Sequence, residues 1–468
     1  MTLLKSGRNI DFTKGPILSS ILLFALPLIA TGFLNLLFNT ADSIVVGRFG
    51  GDTPEEREAA LGAVGSCGSL ITLLVNLFMG LATGAGICVA QELGARSFED
   101  VEKTVHTSVL ASLVCGVFAG IIGFLVAEPL LVLMGSPESV LAEAIPYIRA
   151  YFCGIPASIV FNFCAAMLRA SGDTVRPLIF LSTGGVINVF ANLVMVIVFR
   201  MGALGVGIAT ALSQWISCVL VLIFMVRSDG PCRVCFGKLH IDGQKLRRLV
   251  AVGLPTGIQG SFFSISNVLT QSAINSFGAT VVAGCSASGN LEGYVYVAQN
   301  AFYQAAITAT GQNTGAKDFR RAKKLLFSCL MLVTVVGFSL GALLVFFGPL
   351  LLGLYAPGNE AVVAAALPRL AIICLPYFIC GWQEVFSGTL RGLGKAITPT
   401  VVCLLGICGL RVLWIYAVLP YFNTPEMLYL VWPVTWIPTA AVLFFFCVRA
   451  LNRHSLEQDS FVPHEKAF

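Results

Sequence analysis

Apolar residues run in long blocks along this chain, separated by short polar stretches. Twelve blocks stand out, at 17–47, 59–91, 104–127, 140–168, 177–199, 203–227, 249–277, 279–312, 325–348, 361–390, 397–419 and 427–450. Each reaches or exceeds the roughly 20 residues that a helix needs to cross a bilayer core. Several are longer, which predicts tilt or protrusion. Backbone inside lipid must satisfy its own hydrogen bonds, so blocks of this length predict helices. The expected fold is all-α and integral to the membrane, with about twelve transmembrane helices. Pro27 lies inside the first block and predicts a kink or an unwound turn.

The pattern also repeats. Phe24–Gly50 aligns without a gap on Val252–Gly278, matching Pro27 with Pro255, Gly32 with Gly260, Asn39 with Asn267 and Gly50 with Gly278. Gln91–Lys103 aligns on Gln312–Lys324, and Arg169–Pro177 on Arg391–Pro399. The expected organisation is a six-helix lobe over 1–227, a basic linker over 228–248, a second six-helix lobe over 249–450 and a tail over 451–468. An even number of helices per half makes the repeats parallel, forming a two-lobed bundle of a kind that binds cargo between its halves and alternates access.

Composition agrees with this reading. The chain is 57% hydrophobic and only 11% charged, with a mean hydropathy of +0.86. Most of the 29 basic residues fall in the amino-terminal segment, the even-numbered loops and the tail. That side is expected to be cytoplasmic, with both termini inside and the protein in the plasma (inner) membrane. The first block has no small-residue cleavage pattern and is expected to remain in the mature protein. The net charge of +5 is a topology signal and not a nucleic-acid footprint. Most of the 15 cysteines sit in apolar blocks, where they act as small hydrophobes. The lone C-x-x-C at Cys232 and Cys235, with His240 nearby, is a weak metal signal.

Polar residues inside such blocks are candidates for function, because a charge at mid-bilayer costs roughly 2.5–3.5 kcal/mol on insertion scales. Asn35, Asn39 and Asp42 fall on one stripe of the first helix. Asn188 and Asn192, one turn apart in the fifth, could join Asp42. A carboxylate with two amide oxygens suits a sodium ion or a proton relay; packing of the Asn pair, or pairing of Asp42 with Arg48, is the structural alternative. In the second half the position aligned with Asp42 is Thr270. There Asn267 and Gln271 lie on a neutral polar face that could contact cargo or tie helices together. Glu292, Tyr296, Gln299 and Tyr303 recur at steps of four, three and four, an acid beside aromatic rings suited to a lipophilic cation or, equally, a packing seam. Arg411 needs a partner inside the membrane, and Glu384 is the expected one, in a structural or gating pair. The intramembrane charges otherwise read as mostly acids.

An enzyme is not indicated. The sequence holds no H-E-x-x-H, no G-x-S-x-G and no Walker A loop, and no His falls in the middle of a block.

Pro27, the Asn39–Asp42 stretch followed by Gly47 and Arg48, the turns at Gly94–Arg96 and Gly315–Lys317, and Arg169–Pro177 with Arg391–Pro399 together resemble the multidrug and toxic compound extrusion (MATE) family, over about residues 11–452. The likeness is to the bacterial branch with its key acid on the first helix. It implies a twelve-helix antiporter with V-shaped lobes that exports amphipathic, often cationic compounds in exchange for H+ or Na+, with no other cofactor. Asp42 would be the coupling carboxylate, with Asn39, Asn188 and Asn192 around it. Asn35, Glu292, Tyr296, Gln299, Tyr303, Asn267 and Gln271 are candidates for cargo contact, and Pro27, Glu384 and Arg411 for structure and gating. The fifth-helix position where many relatives carry a second acid is Asn192 here, which weakens a Na+ site at Asp42, Asn188 and Asn192 and leaves Asp42 the principal titratable group of that lobe; Glu292 could take the coupling role instead, in the other half. The expected partners are small amphipathic molecules and the bilayer, with the protein a monomer. A flippase for lipid-linked precursors is the alternative, expected to show a broad cationic cavity; a non-transporting receptor or scaffold fits the duplication poorly.

Overall fold

A computed structural model describes residues 9–133, 137–355 and 358–460. Every expected block is helical. The elements are α1 (Ile17–Phe49), α2 (Pro54–Gly94), α3 (Phe98–Leu133), α4 (Glu138–Ala170), α5 (Val175–Asn192), α6 (Gly202–Arg227), α7 (Gly243–Asn275), α8 (Ala279–Gly315), α9 (Phe319–Phe346), α10 (Glu360–Cys374), α11 (Tyr377–Gly392), α12 (Ile397–Phe422) and α13 (Val431–Ser460). Ten described helices are long and apolar enough to cross a membrane, and the bent pair α10–α11 makes an eleventh span.

The helices outrun the apolar blocks because hydropathy marks lipid-facing length, whereas a helix continues while its backbone bonds are met. Thus α2 begins at Pro54 with Glu55 and Glu56 in its first turn, where a fixed φ and the helix dipole favour them. The block at 361–390, expected as one segment, is broken: α10 and α11 meet at 42° across Leu375 and Pro376. Proline has no N–H to continue the ladder. At Pro27, by contrast, α1 remains one continuous helix.

The internal repeat is written into the backbone. Arg96 (φ 56°) and Lys317 (φ 58°) end α2 and α8 in the left-handed region. Gly172 (φ 86°) and Gly394 (φ 81°) do the same after α4 and α11. The closing bonds match too: Gly172 donates to the Arg169 carbonyl and Asp173 to that of Leu168, as Gly394 does to Arg391 and Lys395 to Leu390.

The chain forms two compact units. Among the described residues, unit 1 comprises residue 9, 30–89 and 97–261, and unit 2 comprises 10–29, 90–96 and 262–460. The change of unit within α1 falls two residues past Pro27. In unit 1, α3 and α6 both pack on α4. Gly116 of α3 lies where a Cβ would stand 2.8 Å from the Pro156 backbone, so only glycine permits that approach. In unit 2 the core joins Phe12 and Phe24 to Phe302, Leu326, Phe386 and Leu443. Its amino-terminal segment is tied in by polar bonds: Arg321 donates to the carbonyls of Phe12, Lys14 and Gly15, and Phe12 N–H donates to Gln312.

Candidate functional site

In unit 1, α1, α4, α5 and α6 line a cavity of about 250 Å³ whose walls mix apolar surface with five amides and four hydroxyls. Asn35, Asn39 and Asp42 line it from α1, as the helical stripe predicts, with Asn162, Asn188 and Gln214 facing them. Asn192 Nδ2 donates to Asp42 Oδ1, and at 3.4 Å to Asn188 Oδ1. Asn188 Nδ2 in turn reaches Thr210 Oγ1 at 3.4 Å. Among the described residues no Lys or Arg pairs with Asp42, and Arg48 forms no ion pair with it. The carboxylate is therefore held by neutral dipoles alone, while the buried Asn192 Oδ1 has no hydrogen-bond partner. That is an acceptor-rich setting for a proton or a small cation. The helix after Asn192 widens into i→i+5 turns over Leu193–Val198, a local geometry frequent at functional sites.

Unit 2 departs from expectation. Glu292 is not free to meet a cation: Arg369 Nη2 stands 2.8 Å from its Oε2, and Arg369 Nη1 donates to Ser288 Oγ at 2.8 Å. Gln299 is fully buried, and Cβ atoms at Gly337 or Gly381 would collide with its amide. Tyr303 is buried and its hydroxyl accepts from Arg391 Nη1. Of the four, only Tyr296 is exposed. Of the two readings given for this face, a cation site or a packing seam, the burial and pairing of three of the four residues correspond to the seam, since α8 packs on α9, α10 and α11.

The expected ion pair of Glu384 with Arg411 does not form. Arg411 Nη1 donates instead to Asn267 Oδ1 at 2.9 Å, and among the described residues no ion pair joins Arg411 to any acid. Its neighbour Gln271 bonds Asn275 at 2.9 Å on an exposed face of α7. The reading of the intramembrane charges as mostly acids also fails for unit 2, where Arg369, Arg391 and Arg411 are all buried. Arg369 was missed although it lies inside the block at 361–390, where any Arg is a signal. The C-x-x-C serves the linker: Cys232 Sγ lies 3.5 Å from the Met167 carbonyl, and Cys235 N–H donates to His106 Nε2 at 3.0 Å.

The family model MatE matches residues 27–194 and again 255–417, once over each copy of the repeat. The chain belongs to the MatE family. It is 26% identical over 410 residues to the probable multidrug resistance protein YoeA of Bacillus subtilis, covering 86% of each chain. It is 25% identical to the multidrug resistance protein NorM of Burkholderia vietnamiensis, covering 82% of this chain and 84% of the relative. Its fold superposes on a multidrug resistance MATE family transporter in its outward-facing conformation with a TM-score of 0.87 at 18% identity, covering 96% and 99% of the two chains. A MATE crystal structure in complex with MaL6 gives 0.88 at 19%. MatE proteins are multi-pass membrane transporters that couple to H+ or Na+. Within this MatE chain the unit-1 cavity collects most of the first-half polar residues singled out above. It adds Ser158, Asn162, Thr210, Ser213 and Gln214, whose only sequence signal is polarity inside apolar blocks.

Proposed function

We propose that this MatE chain is a secondary-active antiporter that exports amphipathic, cationic compounds in exchange for H+ or Na+, with Asp42 as the coupling carboxylate. The observation that carries this reading is an acid inside a membrane-length helix that pairs with no Lys or Arg among the described residues, lines a cavity rich in amides and is held by Asn192. A carboxylate in that state is most stable with a proton or a cation on it. Cargo cation and coupling ion therefore compete for one charge, and competition at a site with alternating access yields exchange. Asn192 fixes the carboxylate, Asn188 accepts from Asn192, and both offer amide oxygens to Na+; Asn35 and Asn39 line the cavity where cargo would lie. The names of the relatives, multidrug resistance proteins, support export of drugs. The protein acts as a monomer in the plasma membrane with both termini in the cytoplasm.

The test is efflux of rhodamine 6G from proteoliposomes under an imposed pH or Na+ gradient. Wild type is expected to accelerate efflux with one of the two gradients, and Asp42→Asn to lose the acceleration and to bind the dye more weakly. Gradient-driven transport surviving in Asp42→Asn would move the coupling role elsewhere.

A further inference from the structure

A second, oppositely charged site lies in unit 2. Arg411 is 8% exposed and Arg369 is 7% exposed, and the Nε of each has no hydrogen-bond partner. Both guanidiniums lie over the Trp432 ring, at 5.2 Å and 5.6 Å from its centroid. Glu292 forms its ion pair with Arg369 and not with Arg411, whose one side-chain acceptor among the described residues is the neutral Asn267. Two cations and one anion around one indole leave a net positive charge inside the membrane.

An arginine buried only for structure brings a carboxylate or several carbonyls with it, because an unpaired charge at that depth costs several kcal/mol. Arg411 brings one amide and one ring face. Its backbone is also unusual: it stands on a single α turn, Leu410–Leu413, between wide i→i+5 stretches at Leu404–Gly409 and Trp414–Val418. Such stretches cluster at functional sites. The polar side of the site is on α7. Asn267 is exposed directly beside the guanidinium, and Gln271 and Asn275 continue an exposed amide stripe from it. Where the first repeat has Asp42, this stripe has the buried Thr270, so no acid on α7 repels an incoming anion.

We infer that Arg411, with Asn267 at its mouth, binds the oxyanion of an amphipathic molecule, a carboxylate or a phosphate, so that unit 2 takes anionic groups. This deepens the antiport reading by adding a cargo chemistry, and it rests on that reading only for the direction of movement. The oxyanion completes the guanidinium's donors in a bidentate geometry that a cation cannot offer.

Equilibrium binding in the absence of any gradient isolates the site. The full-length protein in phosphatidylcholine nanodiscs would be titrated with radiolabelled cholate below its micellar concentration and, in parallel, with rhodamine 6G. Arg411→Gln is expected to weaken cholate roughly tenfold or more, the loss of one charge-assisted bond, with rhodamine affinity within about twofold of wild type. Arg411→Lys should recover part of the loss. Asn267→Asp, which sets a carboxylate against the guanidinium, should abolish cholate binding and keeps the test valid should Arg411→Gln fail to fold. Repeating the titration in phosphatidylglycerol nanodiscs separates the sources. Weaker cholate binding in wild type alone identifies a lipid headgroup as the competing occupant; equal binding in both lipids identifies soluble cargo. Cholate affinity unchanged by Asn267→Asp, or by a folded Arg411→Gln, overturns the inference. Loss of gradient-driven efflux with cholate binding intact would instead count against the antiport reading.

Discussion

Glu292 and Asp42 are both acids inside membrane-length helices, and their surroundings give them opposite roles. Asp42 meets amides and a cavity, so its charge is available. Glu292 meets Arg369 at 2.8 Å, with side chains only 16% and 9% exposed, so its charge is spent on a partner. Removing one member of such a pair strands the other. Glu292→Gln is therefore expected to destabilise the protein by about 3 kcal/mol, seen as a lower unfolding temperature in detergent, while leaving gradient-driven rhodamine efflux coupled. An uncoupled but fully stable variant would show that Glu292 carries the ion.

At the scale of elements, helix contacts are set by what glycine permits and helix starts by what a cap supplies. Gly381 of α11 faces the buried Gln299 amide of α8 so closely that a methyl group has no room. Gly381→Ala should cost roughly 1–3 kcal/mol through forced repacking, measured as a shift in thermal unfolding. The start of α7 is held differently. Asp242 Oδ1 accepts from the N–H groups of Gln244 and Lys245 at 2.9 and 3.0 Å, and these backbone bonds, that of Lys245 first, hold its carboxyl below the ordinary carboxylate value of 3.8. The folded state thus favours the ionised form. The cap's contribution is complete above the ordinary carboxylate range and is lost as the pH falls through the lowered folded value. Hydrogen exchange of the first turn of α7 should show protection falling on acidification in wild type, and already low and insensitive to pH in Asp242→Ala.

For the whole molecule, the linker between the repeats reports orientation. It is fastened to α3 by Lys238 to Glu102 at 2.9 Å and by Cys235 N–H to His106, yet Lys238 remains largely exposed to solvent. Under the proposed orientation, with both termini and this linker on the cytoplasmic side, Lys238→Cys in a background lacking Cys153 and Cys235 should react with a membrane-impermeant maleimide in inside-out vesicles and not in intact cells. Labelling in intact cells would invert the topology.

The sequence alone determined the helices, their approximate ends and the duplication, because lipid imposes one requirement along the whole chain: continuous apolar length with every backbone bond met internally. It also placed Asn35, Asn39 and Asp42 together, since residues on one helix share a face by geometry alone. Which residue of another helix meets that face was decided only in the tertiary structure. The need of a membrane arginine for an acid would have paired Glu384 with Arg411; the structure gives Arg411 to Asn267 and Glu292 to Arg369. The reason is physical. In lipid, apolar side chains gain nothing by choosing protein over acyl chains, so the faces that meet are selected by close fit at small residues and by polar contacts between helices. Those contacts depend on distances across the bundle, and hydropathy along one helix carries no record of them.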